Sequence, residues 1–443
     1  MKKGNPWALL PIGVFLAIYL GLGLIFEYAL KIEMGFYKVP IIIAFLAAIL
    51  VACLQNRKAP FDEKLEIMGR GIGDKNIITM LLIFLVAGAF VGVVGDSSAK
   101  SVAYFMLSVI PARFAVVVLF VVACFVSTAM GTSVGTISLL TPIAVEVSRA
   151  AGFETALCVA SVLGGAMLGD NLSFISDTTI AACNGQGCAM KDKFKGNFWI
   201  ALPAATITAW LILILSSQGE TAQITGEYDL IQIIPYVLVL LGGILGINVF
   251  VVLIGGIVSG AAIMLLSGKT EPTELLANMG SGAAGMFETA MVAVLVAALC
   301  ALIRAHGGFD ALLYLIRRVF QGNRGGQLGM GLLVGVMDIA TANNTVAIVI
   351  ANPIAKEMSR EYGVSPKRAA CLLDTFSCIF QGVIPYGAQM LVALSAAAEL
   401  GEQMSAFRIM RYLYYPYLLL ASSLIAIFLI RERTGKRNDP CVR

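Results

Sequence analysis

The chain has 443 residues, 59% of them hydrophobic and 13% charged, with a formal net charge of +4. A soluble domain carries roughly 25% charged residues and about 45–50% apolar ones, so a soluble globular protein is excluded. The charge is small and its basic residues lie between apolar runs, which excludes a nucleic-acid-binding stripe.

In chain order, apolar runs at 7–28, 39–54, 77–95, 198–215, 249–267, 286–303 and 412–430 each approach the roughly 20 residues that cross a bilayer. Met1-Lys2-Lys3 looks like the charged start of a signal peptide. The run behind it is long and lacks a small-x-small cleavage site, so it reads as a retained first span. The nine cysteines are scattered, several of them inside apolar runs (Cys53, Cys124, Cys158, Cys300), and read as small buried hydrophobes. Cys183 and Cys188 bracket a Gly-containing turn with no histidine or second pair beside them, which argues against zinc.

An internal repeat runs through the chain at an offset of 211 residues. Pro142-Ile143-Ala144, Glu146, Ser148-Arg149 and Gly152 recur as Pro353-Ile354-Ala355, Glu357, Ser359-Arg360 and Gly363. Met68-Gly69-x-Gly71 recurs as Met279-Gly280-x-Gly282, Lys58 falls on Lys269, and Arg113 falls on Arg324. Transporters are commonly built from such duplications. Each half reads as three apolar spans, an interfacial stretch, a long split segment, a second split segment and a closing span. With the first split segment re-entrant and the N-terminus inside, 23 of the 31 basic residues lie inside, among them Lys191, Lys193 and Lys195. That satisfies the positive-inside rule, and the halves are then inverted.

The expected fold is therefore an all-α membrane protein of about ten transmembrane helices plus two re-entrant helical hairpins, in two inverted-topology repeats. The first repeat covers 1–217, with its hairpin at about 113–150 and a broken helix at about 155–183. The second covers 218–430, with its hairpin at about 327–360 and a broken helix at about 367–398; 431–443 is a basic cytoplasmic tail. The expected setting is the cell (inner) membrane, with both termini cytoplasmic, the lipid bilayer as partner and no nucleic acid.

The breaks carry the chemistry. The segment 114–150 is interrupted by Met130-Gly131-Thr132-Ser133-Val134-Gly135-Thr136, and 328–359 by Thr341-Ala342-Asn343-Asn344-Thr345. Arms of about 15 residues are short for crossing, so polar tips at mid-membrane are expected. Two further breaks fall at 169–179 and 381–387. Irregular backbone at that depth is tolerated only where it lines protein or a water-filled cavity.

Asp170 and Asp177 stand seven residues apart, with Asn171, Ser173, Ser176, Thr178 and Thr179 around them. A small hard cation takes carboxylate, hydroxyl and carbonyl oxygens, and a broken helix frees carbonyls for the purpose. A buried carboxylate that holds either a proton or a cation couples the two flows. The plain alternative is an interfacial loop with Asp170 capping a helix. Likewise Thr132, Ser133, Asn343, Asn344 and Thr345 either cap short arms or touch the transported species, and the two roles are compatible. Asp338, Asp374 and Gln381 are secondary candidates, and Glu288 is a weaker one. Gly131-Thr132-Ser133-Val134-Gly135 also fits G-x-S-x-G, but that elbow needs a preceding strand and a histidine base. The one histidine, His306, sits at the end of an apolar run where a helix C-terminal role suffices. The reading is a transporter, not an enzyme.

Gly169-Asp170-Asn171-Leu172-Ser173-Phe174-Ile175-Ser176-Asp177-Thr178-Thr179 resembles the NhaC family of sodium/proton antiporters, whose pattern is like G-D-x-x-S-P-x-S-D-T-T. The likeness extends to the Gly131-Thr132-Ser133 tip, the Pro142-Ile143 and Pro353-Ile354 arms and the repeat plan, so it covers nearly the whole chain. It implies paired re-entrant hairpins, a homodimer, an elevator-like shift, and Asp170, Ser173, Ser176, Asp177 and Thr178 as the cation and proton region. Phe174 stands where the pattern often has Pro. The leading expectation is Na⁺/H⁺ exchange by alternating access, with Na⁺ at Asp170 and Asp177 and no cofactor beyond the transported ions. The alternative is a Na⁺- or H⁺-coupled carrier of a small organic solute, an amino acid or a carboxylate.

Overall fold

Long apolar stretches leave the backbone one way to satisfy its own hydrogen bonds in lipid, the helix. A computed structural model, which describes residues 4–32, 38–55, 59–174, 176–216, 228–245 and 247–429, is helical throughout, with no strand among the described residues. The expected tail at 431–443, the boundary between the halves, and Lys2, Lys3, Arg57 and Lys58 lie outside the described residues.

Among the described residues nine helices are long and apolar enough to cross a membrane, and three shorter apolar helices accompany them (Ile41–Gln55, Leu230–Gly242, Tyr414–Leu429). Two of the nine, Ala112–Met130 and Ser133–Ala151, are the arms of the first hairpin. The second hairpin is formed by Gly322–Thr341 and Asn344–Tyr362. That leaves five full spans in each half. The arms have 19, 19, 20 and 19 residues, not the expected 15 or so. The extra length comes at both ends: the second hairpin starts with polar Asn323, Arg324 and Gln327, and the outgoing arms begin at Ser133 and Asn344, inside the polar tips.

Each broken helix is a composite span. Thr155–Leu172 is followed by Asp177–Gln186, and Pro366–Val383 by Ala388–Glu399. The hairpin tips meet the middle of these spans: Ser133 bonds to Asp170, and Ala342 to Gln381 and Ala388. Another expectation is corrected at the third span. Lys75–Val109 is one continuous helix that absorbs the supposed interfacial stretch behind it, and the short amphipathic helix, Phe61–Ile72, lies before it.

The 211-residue register reappears in three dimensions. Phe61–Ile72 packs on Phe287–Ala305, and its counterpart Pro272–Gly285 packs on Lys75–Val109. Glycine permits both contacts: a Cβ on Gly71 would lie 2.8 Å from the Ala297 carbonyl oxygen, and one on Gly282 only 2.2 Å from that of Gly88. Each half thus lays its amphipathic helix across a span of the other. Each hairpin also docks on the first part of its own broken helix, Ala112–Met130 on Thr155–Leu172 and Gly322–Thr341 on Pro366–Val383.

Candidate functional site

The tips begin where the first arms run out of helix. Gly131 ends one arm in the left-handed region (φ 69°), which glycine adopts without a Cβ clash. Thr132 then caps Ser133–Ala151, its hydroxyl accepting from the Gly135 amide. In the second tip Ala342 takes the same conformation (φ 47°), and Asn343 caps the outgoing arm through the Val346 amide. The carbonyl of Ala342 accepts from Gln381 Nε2 (2.9 Å) and from the Ala388 amide (3.4 Å). Those two bonds tie the second tip across the second break and hold an otherwise unfavourable backbone in place.

Both tips and the first break open onto one cavity of about 60 Å³, lined by Gly131, Thr132, Ser133, Val134, Asp170, Asp177, Thr178, Asn343, Asn344 and Thr345, with Thr79, Met80 and Ile83 from the third span. Asp170 is buried and accepts a hydrogen bond from Ser133 Oγ (3.1 Å). That hydroxyl in turn accepts from Gln389 Nε2 (2.7 Å), so the first tip is gripped by both broken helices. Asp177 opens Asp177–Gln186 as its first residue, where a negative charge suits the helix dipole, and its side chain is exposed toward the cavity.

The remaining residues of the motif build the break. Ser176 caps the second half-helix through the Thr179 amide and donates to the Asp170 carbonyl (3.1 Å). Ser173 Oγ donates to the Thr128 carbonyl in the first hairpin (2.8 Å), and Thr179 Oγ1 to the Ser173 carbonyl (2.9 Å). Phe174, where the family pattern often has Pro, stacks on Phe194 with ring centroids 4.3 Å apart. Asn171 turns away from the cavity and accepts from Asn197 Nδ2 (2.5 Å). Ser173, Ser176 and Asn171 therefore shape the break, while Asp170, Asp177 and Thr178 face the space between the tips.

The secondary candidates lie elsewhere. Asp338 is fully buried beside Ser377, whose hydroxyl donates to it at 3.3 Å, and Gln381 is the brace to Ala342. Asp374 pairs with Lys193 at 2.6 Å, their side chains 2% and 0% exposed. Lys193, counted in the sequence among the basic residues of an inside region, is thus a buried ion-pair partner. It lies in the first turn of Met190–Ser216, donating also to the Asn171 carbonyl (2.6 Å) and Thr179 Oγ1 (2.7 Å). Asn197, one turn on, donates to Asp374 Oδ2 (3.0 Å). The four-residue spacing of Lys193 and Asn197 was the available signal, masked by the alternating lysines at 191, 193 and 195. Thr79 and Gln389 were missed too, as single polar residues in apolar runs.

The G-x-S-x-G run lies between two helices with no strand before it, and His306 follows the end of Phe287–Ala305, as a helix terminus.

Two helical hairpins, two broken helices and a polar cavity where they meet are the architecture of a multi-pass membrane protein. The Na⁺/H⁺ antiporter family model matches residues 8–217 and 221–431, and the chain belongs to that family. Among curated relatives, the Na⁺/H⁺ antiporter NhaC of Bacillus subtilis is 24% identical over 81% of this chain and 84% of its own. NhaC of Alkalihalophilus pseudofirmus is 24% identical over 50% of this chain and 46% of its own. The malate-2H⁺/Na⁺-lactate antiporter of Bacillus subtilis is 24% identical over 48% of this chain and 45% of its own. The matches to the latter two thus span under half of those proteins. The crystal structure of the Alcanivorax borkumensis YdaH transporter aligns over 80% of this chain and 89% of its own, at 15% identity and a TM-score of 0.42.

Proposed function

We propose that the protein exchanges Na⁺ for H⁺ across the cell membrane by alternating access, with Asp170 and Asp177 carrying the exchanged species. The observation that carries this is the cavity itself, where two aspartates from one helix break face hydroxyls and amides from both hairpin tips. A bare carboxylate buried at membrane depth is costly, so Asp170 needs a counter-charge, either a proton or a cation. Exclusive use of one site by the two is the physical minimum for exchange. Thr132, Ser133, Thr178, Asn343, Asn344 and Thr345 supply neutral oxygens that replace the hydration shell of Na⁺. Both termini inside, two inverted repeats meeting near residue 217 and a homodimer complete the reading. The family membership and the NhaC relatives support it.

The second reading, coupled transport of a small carboxylate or amino acid, is favoured by the malate/lactate relative and by the helix N-termini at the tips, which suit a carboxylate. Proteoliposomes loaded with a pH dye separate the two. Exchange predicts a luminal pH change after a Na⁺ pulse alone, and a response that appears only with an added amino acid or carboxylate would select the second reading.

A further inference from the structure

Lys193 lies immediately behind the cavity, and its surroundings are those of an ion. The ammonium has three protons, and each meets an oxygen at 2.6–2.7 Å: the Asn171 carbonyl, Thr179 Oγ1 and Asp374 Oδ2. A carbonyl, a hydroxyl and a carboxylate form the kind of set that binds a small monovalent cation at a broken helix. Two of the three belong to the first break itself. Asn171 O is among the carbonyls released where Thr155–Leu172 ends, and Thr179 stands in the opening turn of Asp177–Gln186.

The position is joined to the cavity by hydroxyls alone. Thr179 Oγ1 lies 2.9 Å from Ser176 Oγ, and Ser176 Oγ lies 3.0 Å from Thr178 Oγ1, which lines the cavity. Charge tells the same story. Asp170, Asp177 and Asp374 gather around the first break, and the ammonium offsets one of the three. The second break has none of this: the 211-residue offset puts Gln381, Ala388, Gly382 and Met404 where the first has Asp170, Asp177, Asn171 and Lys193. At those equivalent positions the second half carries neither the two aspartates nor the lysine.

We propose that Lys193 is a resident cation of the first helix break, filling through Asn171, Thr179 and Asp374 a cation position behind the Asp170–Asp177 cavity. The transported ion then binds beside a permanent positive charge, and the break needs no second inorganic ion. The inference rests on reading that cavity as the transported cation's site.

Lys193→Ala keeps the three oxygens and removes the ammonium, so the vacated position should accept a free one. Ethylammonium is the probe, with the full-length protein in detergent for melting and in proteoliposomes for exchange. The expected result is a rise of about 2–4 °C in the melting temperature of Lys193→Ala with saturating ethylammonium and none in wild type. Exchange by the variant should fall by at least about tenfold and recover at least about threefold with the amine. A variant that responds to ethylammonium no more than wild type overturns the proposal. Should Lys193→Ala not fold, the double variant Lys193→Met/Asp374→Leu keeps the volume without either charge. It should raise the half-saturating Na⁺ concentration at least about fivefold, and a wild-type value would assign the pair a structural role only. A wild type that moves no protons after a Na⁺ pulse defeats the exchange reading, whereas the melting shift reads occupancy of the Lys193 position by itself.

Discussion

Asp374 and Lys193 hold each other in a place where neither is tolerated alone. Asp374→Asn leaves the ammonium buried with neutral partners, a change that costs about 3–5 kcal/mol where a buried pair is broken. The expected outcome is a large fall in melting temperature relative to wild type, and an unchanged melting point would show that the ammonium finds another counter-charge. Ala342 makes the opposite case. Its left-handed backbone (φ 47°) costs an L-residue roughly 1–2 kcal/mol; the added freedom of the unfolded chain offsets part of that, so Ala342→Gly should stabilise the protein by up to about 1 kcal/mol, and a lowered melting temperature would contradict this. At this scale the sequence was legible where local chemistry was unusual. Asp170, Asp177 and the tip residues stand out as polar groups in apolar runs. Lys193 did not, because what buries it is Asp374, in the other half of the chain, and no local pattern encodes that pairing.

Among the elements, the hairpins depend on close approach to the broken helices, and the two halves achieve it with opposite assignments. In the first half glycines on the broken helix meet the hairpin backbone: a Cβ on Gly165 would lie 2.1 Å from the Phe120 carbonyl oxygen, and one on Gly169 2.2 Å from that of Cys124. In the second half Gly331 and Gly335 are on the hairpin, facing the rings of Phe376 and Phe380. The offset of 211 exchanges Phe120 and Gly165 for Gly331 and Phe376, so one contact has been kept with large and small residues traded. Small-residue spacing of this kind lets helices pack closely in lipid. Gly169→Ala should therefore cost at least about 2 kcal/mol, since a backbone carbonyl cannot move aside as a side chain does. A melting temperature within a degree of wild type would contradict that contact. Gly331-x-x-x-Gly335 is a small-residue spacing of the kind that lets helices approach closely, but nothing in the sequence names its partner. The hairpin arms were underestimated for a related reason: apolarity marks the lipid-facing part of a helix, and these arms continue beyond it.

For the whole molecule, the repeat was legible because duplicated motifs kept one register, and Gly71 and Gly282 now have a physical role in that register as the contact points of crossed helices. The proposed inversion of the halves makes a direct prediction about sidedness. Glu66, on Phe61–Ile72, and Glu274, on Pro272–Gly285, occupy equivalent amphipathic helices. In a cysteine-free background, Glu66→Cys should react with an impermeant maleimide only from the cytoplasmic side and Glu274→Cys only from the opposite side. Labelling of both from one side would refute the inverted arrangement. The central claim, that the cavity carboxylates carry both ion and proton, is tested most directly by Asp170→Asn in proteoliposomes with an internal pH dye. The account predicts folded protein in which a Na⁺ pulse no longer changes luminal pH, while wild type responds. Wild-type exchange by the variant would contradict it.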